Sequence, residues 1–178
     1  MHLKSHLLPA ICLLIWLSGC KKTNTDYQQK ANNPEFMHAG VRRITDIIRH
    51  DIFAPPVSAR IYVYSAVAAY EALVPGFPAY QSLAGQLNGL TPGPKPEVGK
   101  EYCYPLASTN AQLIVGKQLV FSEGDVEDLK EKIFEDFQKM DMPDEVYDRS
   151  MAYGEAMAKH IIAWSKTDNY AQIRSAPK

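Results

Sequence analysis

The sequence predicts an all-α fold: a helical bundle of five or six helices with one long Pro/Gly-rich loop. Three observations carry this prediction. Apolar residues recur at spacings of three and four through most of the chain, strand-like alternation is absent, and prolines stand where helices would open or close. The chain is long enough for one domain with a core of its own, and near the lower edge for two.

Asn33-Pro34-Glu35 supplies a first helix start, with an N-cap, a proline at the first position and an early acid, and Met37, Val41, Ile44 and Ile48 follow at helical spacing. Pro55-Pro56 ends that helix. The second, about Val57 to Val74, is apolar nearly all round through Ile61, Val63, Val67, Tyr70 and Leu73, as a helix surrounded by others would be. Pro75-Gly76 stops it. A short helical piece is expected around Tyr80 to Leu87, and then Gly89, Pro92, Gly93, Pro94, Pro96 and Gly99 exclude regular structure from Asn88 to Cys103. That stretch is the long surface loop.

Pro105 opens the next helix, with Leu106, Leu113, Ile114 and Leu119 as its buried side. Ser122 and Asp125 offer the following N-cap. Val126, Leu129, Ile133, Phe137 and Met140 then trace one face, with Glu127, Asp128, Lys130, Glu131 and Lys132 solvated around the rest. Pro143 opens the last helix, where Val146, Ser150, Tyr153, Met157, Ile161 and Trp164 step by three or four residues and Ala152, Gly154, Ala156 and Ala158 permit close approach.

The N-terminus carries a different signal. His2, Lys4 and His6 form a weakly basic start, and the apolar run from Leu7 to Leu17 is far shorter than the roughly 20 residues that span a bilayer. Leu17-Ser18-Gly19-Cys20 closes this run as a lipobox. Residues 1–19 therefore read as a lipoprotein signal peptide, with Cys20 the lipidation site, residues 20–33 as a polar, flexible tether, and residues 34–178 as the helical domain. The membrane, reached through lipid on Cys20, is the expected partner. The expected location is a bacterial cell envelope, on its periplasmic or outer-membrane face.

A formal net charge of -1 gives no basic field, which excludes nucleic acid as a partner. Cys12 lies in the leader and Cys20 would be acylated, so Cys103 has no intrachain disulfide partner and reads as a small apolar residue. Gly93 to Lys100 imitates a phosphate-binding loop, but its glycines are wrongly spaced and its prolines remove the N–H groups that would cradle phosphate. Common hydrolase, zinc and dinucleotide signatures do not occur.

His38, Arg42, Asp46 and His50 lie at successive i, i+4 positions, a polar stripe that reads as a solvated face rather than an anion or metal platform. Arg60 and Glu71 interrupt an apolar helix, where lone charges are costly unless paired. They are expected to be structural ion anchors to neighbouring elements, not catalysts. His160 reads as a packed helix residue. No catalytic, cofactor-binding or metal-binding residue is assigned.

The run Ala59-Arg60-Ile61-Tyr62-Val63-Tyr64-Ser65-Ala66-Val67-Ala68-Ala69-Tyr70-Glu71-Ala72 resembles an early helix of vanadium-dependent haloperoxidases, in the type 2 phosphatidic acid phosphatase superfamily. Tyr104 to Ala111 looks like the start of the next family helix, and Ala163 to Tyr170 like its approach to a middle loop. The resemblance implies a partial superfamily domain, the N-terminal part of a haloperoxidase-like fold. In complete relatives it implies halide oxidation by peroxide, or phosphoester hydrolysis, at vanadate or phosphate held by Lys-x6-Arg-Pro, Pro-Ser-Gly-His and Ser-Arg-x5-His runs. None of those runs occurs in this sequence. The expectation is a chain inactive by itself, binding no cofactor, with vanadate only in complete relatives.

Ending at Ala176-Pro177-Lys178, the sequence looks like a truncated or half-protein reading frame, whose partner would be a C-terminal half carrying the active site, or a second copy in a homo-oligomer. A half-bundle would leave Ile61, Val67 and Tyr70 without cover. The alternative is a non-catalytic helical lipoprotein that binds a partner or ligand.

Overall fold

Four of the long helices begin at a proline or beside one, because the ring fixes φ near its helical value and its missing N–H has no partner in a first turn. A computed structural model describes residues 26–174. The elements are α1 (Asp26–Ala31), α2 (Glu35–His50), α3 (Pro55–Leu73), α4 (Tyr104–Leu119), α5 (Glu123–Gln138), α6 (Asp144–Ser165) and α7 (Tyr170–Arg174), with single 3-10 turns at Val74–Gly76 and Lys166–Asp168. Among the described residues there is no strand, as the all-α reading requires. The leader, the lipobox with Cys20 and the Ala176-Pro177-Lys178 end lie outside the described residues. No described helix is long and apolar enough to cross a membrane.

α4 is the centre of the bundle and touches α2, α3, α5 and α6. Nearly every residue from Leu106 to Val115 is buried, polar ones included: Ser108, Thr109, Asn110 and Gln112 are each no more than 2 % exposed. Their hydrogen bonds go inward. Ser108 Oγ donates to the Ala69 carbonyl on α3 (2.8 Å), and Asn110 Nδ2 to the Met151 carbonyl on α6 (2.9 Å). The sequence pointed to the second helix as the surrounded one, yet α3 keeps Ala59, Val63 and Ala66 on an outward stripe. Apolar texture identified the wrong helix, because α4 reaches the centre carrying polar side chains, of which Ser108 and Asn110 donate to neighbouring backbones and Thr109 to the Pro105 carbonyl of its own helix.

The core closes on itself. Ile61 is fully buried and Val67 is 7 % exposed, so these two do not lack cover as a half-bundle would require. Ile44, Ile61, Leu106, Leu113, Phe137, Met157 and Ile161 meet in one contiguous cluster. On α2 the buried side is Gly40, Ile44, Ile47 and Ile48, and Val41 is turned out to solvent at 41 % exposure, one position away from the expected stripe.

Three boundaries differ from expectation. α3 begins at Pro55, not Val57, since both prolines fit its first turn. The stretch from Tyr80 to Leu87 is irregular instead of helical: the Leu83 N–H donates to the Glu71 carboxylate at 2.6 Å, and Gly85 has φ of 77°. Order also starts earlier than Pro34. Residues 26–31, assigned to the tether, form α1 because Tyr27 and Ala31 are 2 % and 1 % exposed and the Tyr27 hydroxyl donates to Glu101. One buried tyrosine supplies the apolar contact that the local composition seemed to lack.

The long loop is tied along α6 in antiparallel order. Trp164 Nε1 donates to the Asn88 carbonyl (3.1 Å), His160 Nε2 pairs with the Thr91 carbonyl (2.9 Å), Gly93 packs against Met157, and Arg149 donates to the Glu101 carbonyl (2.7 Å). The Cys103 N–H ends the strap on Ser150 Oγ at 2.8 Å. Prolines and glycines that deny it a helix leave its carbonyls free to accept from one face of α6.

Candidate functional site

Arg60 stands on the second turn of α3, and the 3-10 turn after α6 brings Asp168 to it. Arg60 Nε lies 3.7 Å from Asp168 Oδ2, and Nη1 lies 3.4 Å from the Asp168 carbonyl. The Tyr64 hydroxyl, one turn further along α3, donates to the same Oδ2. Asp168 Oδ1 accepts the Tyr170 N–H at 3.1 Å, across Asn169 in a left-handed conformation with φ of 62°. Burial, reinforced by the bond to Asp168, pushes the Tyr64 hydroxyl well above its ordinary pKa, so it stays a donor.

Trp164 forms the adjoining wall. Its ring stands perpendicular to that of Tyr64 at 5.0 Å between centroids, and its N–H is fixed on Asn88. Ala59, Val63, Leu87, Gly89 and Thr167 complete a cleft of about 500 Å³, within the size range of small-molecule sites. Asp168, Trp164 and Tyr64 were not singled out as partners of Arg60 from the sequence. Arg60 and Asp168 are 108 positions apart, and nothing local links them.

Glu71 lies elsewhere. Its carboxylate is 6 % exposed and accepts from the Ser82 hydroxyl (2.7 Å) and the Leu83 N–H (2.6 Å), which fixes the loop after α3 and not a neighbouring helix. The polar stripe on α2 faces outward: His38 and Arg42 side chains are 61 % and 59 % exposed around Glu35. His50 at its end meets Asp51 and Ser122. Those three types resemble a nucleophilic triad, but Ser122 Oγ donates to the Asp51 carboxylate at 2.6 Å, and His50 Nδ1 is 3.1 Å from that same group. The same Nδ1 lies 3.4 Å from Ser122 Oγ, so one ring nitrogen faces both groups and the imidazole does not bridge hydroxyl and carboxylate through its two nitrogens; the cluster is a structural tie.

A second cavity, about 750 Å³ between α4, α5 and α6, mixes Lys117, Lys130 and Lys159 with Glu123, Asp148 and Glu155. Its cations are already paired: Lys117 and Lys130 with Glu127 at 2.9 and 3.2 Å, and Lys159 with Glu155 at 2.6 Å. No group of three or more His, Cys, Asp or Glu that could hold a metal ion exists among the described residues.

Cys103 is 3 % exposed, and burial pushes its thiol up to about 11. In the chain from Lys21 onward it is the sole cysteine. We expect it to resist a thiol-specific disulfide reagent at pH 8 in the folded protein, reacting at least about a hundredfold faster in denaturant, because the thiolate is the reactive form. Equal rates in both conditions would show that the α4 end opens freely.

The helix arrangement is similar to part of the helical fold of a known haloperoxidase. The comparison that shows it is with the crystal structure of a protein described as the first bacterial vanadium-dependent iodoperoxidase, at 43% sequence identity and a TM-score of 0.75. The match covers 82% of this chain and 35% of that one, so this chain spans about a third of the iodoperoxidase chain. No protein-family model matches the sequence, and no curated protein matches it.

Proposed function

We propose that this chain is the helical, non-catalytic part of a vanadium haloperoxidase-like protein, anchored at a bacterial envelope through Cys20, and that halide oxidation requires a second part carrying the oxyanion site. The observation that carries the reading is the partial match: 43% identity to a vanadium-dependent iodoperoxidase over 82% of a chain that lacks the Arg-Pro, Ser-Gly-His and Ser-Arg runs. Vanadate is a multiply charged oxyanion and calls for several cations with a histidine ligand.

The donor sets present do not suit it. Arg60 has the Asp168 carboxylate beside it, where an oxyanion would need a second cation, and His160 points its Nε2 at a backbone carbonyl. No reaction step is therefore assigned to these residues. Purified chain from Lys21 to Lys178, supplied with vanadate, peroxide and iodide, is expected to oxidise no iodide above the protein-free rate. Robust turnover by this chain alone would refute the proposal.

The closed core favours a second reading, a self-standing helical lipoprotein that binds a ligand or partner. Cooperative unfolding of a monomer that exposes little apolar surface to a dye supports it, whereas aggregation or a molten state supports dependence on a missing half.

A further inference from the structure

We propose that the Arg60–Trp164 cleft binds an organic carboxylate with a flat apolar body. The charge pair at its base is asymmetric in what remains free. Asp168 accepts the Tyr64 hydroxyl on Oδ2 and the Tyr170 N–H on Oδ1, and Arg60 Nε stands 3.7 Å from Oδ2 as an ion pair beyond hydrogen-bond reach. Arg60 has five N–H donors, of which one on Nη1 donates to the Asp168 carbonyl at 3.4 Å, and its side chain is 32 % exposed at the cleft. The cleft is therefore offered N–H donors from a cation whose position is set by its partner. A carboxylate matches the guanidinium fork in two parallel bonds.

The walls select the rest of the ligand. Trp164 presents an indole that is held in place, because its N–H is bonded to the Asn88 carbonyl and its ring packs perpendicular to that of Tyr64. Val63, 49 % exposed, faces solvent beside it, and Ala59 and Leu87 add apolar surface. An exposed valine and a pinned indole around an open guanidinium favour a planar, apolar anion over inorganic phosphate, which would gain nothing from those walls. This site is separate from any oxyanion chemistry, and does not depend on the haloperoxidase reading.

The test is calorimetric titration of the chain from Lys21 to Lys178 with naphthoate, naphthamide and inorganic phosphate, with the indole N–H resonance of Trp164, its sole tryptophan, as the site reporter. Naphthoate is expected to bind saturably and shift that resonance. Arg60→Met is expected to weaken it about tenfold or more, as loss of a charge-assisted pair does. Should Arg60→Met disturb the Lys166–Asp168 turn, Val63→Glu gives an independent check, since it sets a like charge at a surface position and is expected to lower affinity by a similar factor. Naphthamide or phosphate binding as tightly as naphthoate, no saturable shift at millimolar ligand, or unchanged affinity in both variants would each overturn the assignment.

Discussion

Replacing Gly154 with valine is expected to destabilise the protein by about 3 kcal/mol or more, the upper end of what overpacking costs when backbone must move. Gly154 sits in α6 where it crosses α4, and a Cβ there would overlap the Ala107 carbonyl oxygen and crowd its carbon and Cα at 3.1 Å. The obstacle is main chain, which cannot rotate away as a side chain does. Alanine is the finer probe. Helix propensity alone favours Gly→Ala by roughly 0.5–1 kcal/mol, so a stability loss in Gly154→Ala means that contact outweighs propensity. Urea unfolding followed by circular dichroism measures both, and a Gly154→Ala variant more stable than the parent would show that α4 and α6 can separate at little cost.

Asp51→Ala is expected to cost about 2 kcal/mol, because one carboxylate holds the entry to α5. It accepts the N–H groups of Phe121 (3.0 Å) and Ser122 (3.1 Å) and the Ser122 hydroxyl (2.6 Å), with His50 Nδ1 at 3.1 Å. Hydrogen bonds to a charged group contribute roughly 1.5–3 kcal/mol each, but solvent at the exposed end of this turn replaces part of that. Burial by itself raises the Asp51 pKa, and the bonds from Ser122, His50 and Phe121 outweigh it, leaving the carboxyl below its ordinary value. The sign follows from this depression. The contribution is present above the unfolded carboxyl pKa of about 3.9 and is lost as pH falls through the lower folded value. Thermal melts from pH 7 to pH 2 are expected to show a shallower acid decline in Asp51→Ala than in the parent; parallel declines would remove Asp51 from the linkage.

Legibility of the fold tracked how local each cause was. The face Val126, Leu129, Ile133, Phe137 and Met140 could be read directly: Leu129 is half-buried and the other four are buried, Met140 just past the end of α5. Proline at a first turn is equally local, and four helix starts follow from it. The central place of α4 was hidden, since Ser108 and Asn110 acquire partners only from α3 and α6. α1 was missed for the same reason: Tyr27 is ordered by Glu101, far along the chain.

The candidate site was half legible. Arg60 stood out as a charge in an apolar helix, and an anchoring partner was anticipated, but the partner is a residue in a polar run after the last long helix. Nothing in Lys166-Thr167-Asp168-Asn169 marks one carboxylate among several, and only the left-handed Asn169 that ends the turn aims it back at α3. Glu71 was equally visible as an interruption, and its partner proved to be a loop N–H instead of a helix.

The strap over α6 bears on how the chain matures. Asn88 emerges during synthesis 76 residues before Trp164, the side chain that holds its carbonyl. Until α6 exists the groups that hold Asn88, Thr91 and the Cys103 N–H are missing, and contacts of such long sequence separation form late. A nascent chain paused before α6 therefore presents this stretch to proteases and chaperones, and completion of the final long helix sets the moment at which it becomes protected.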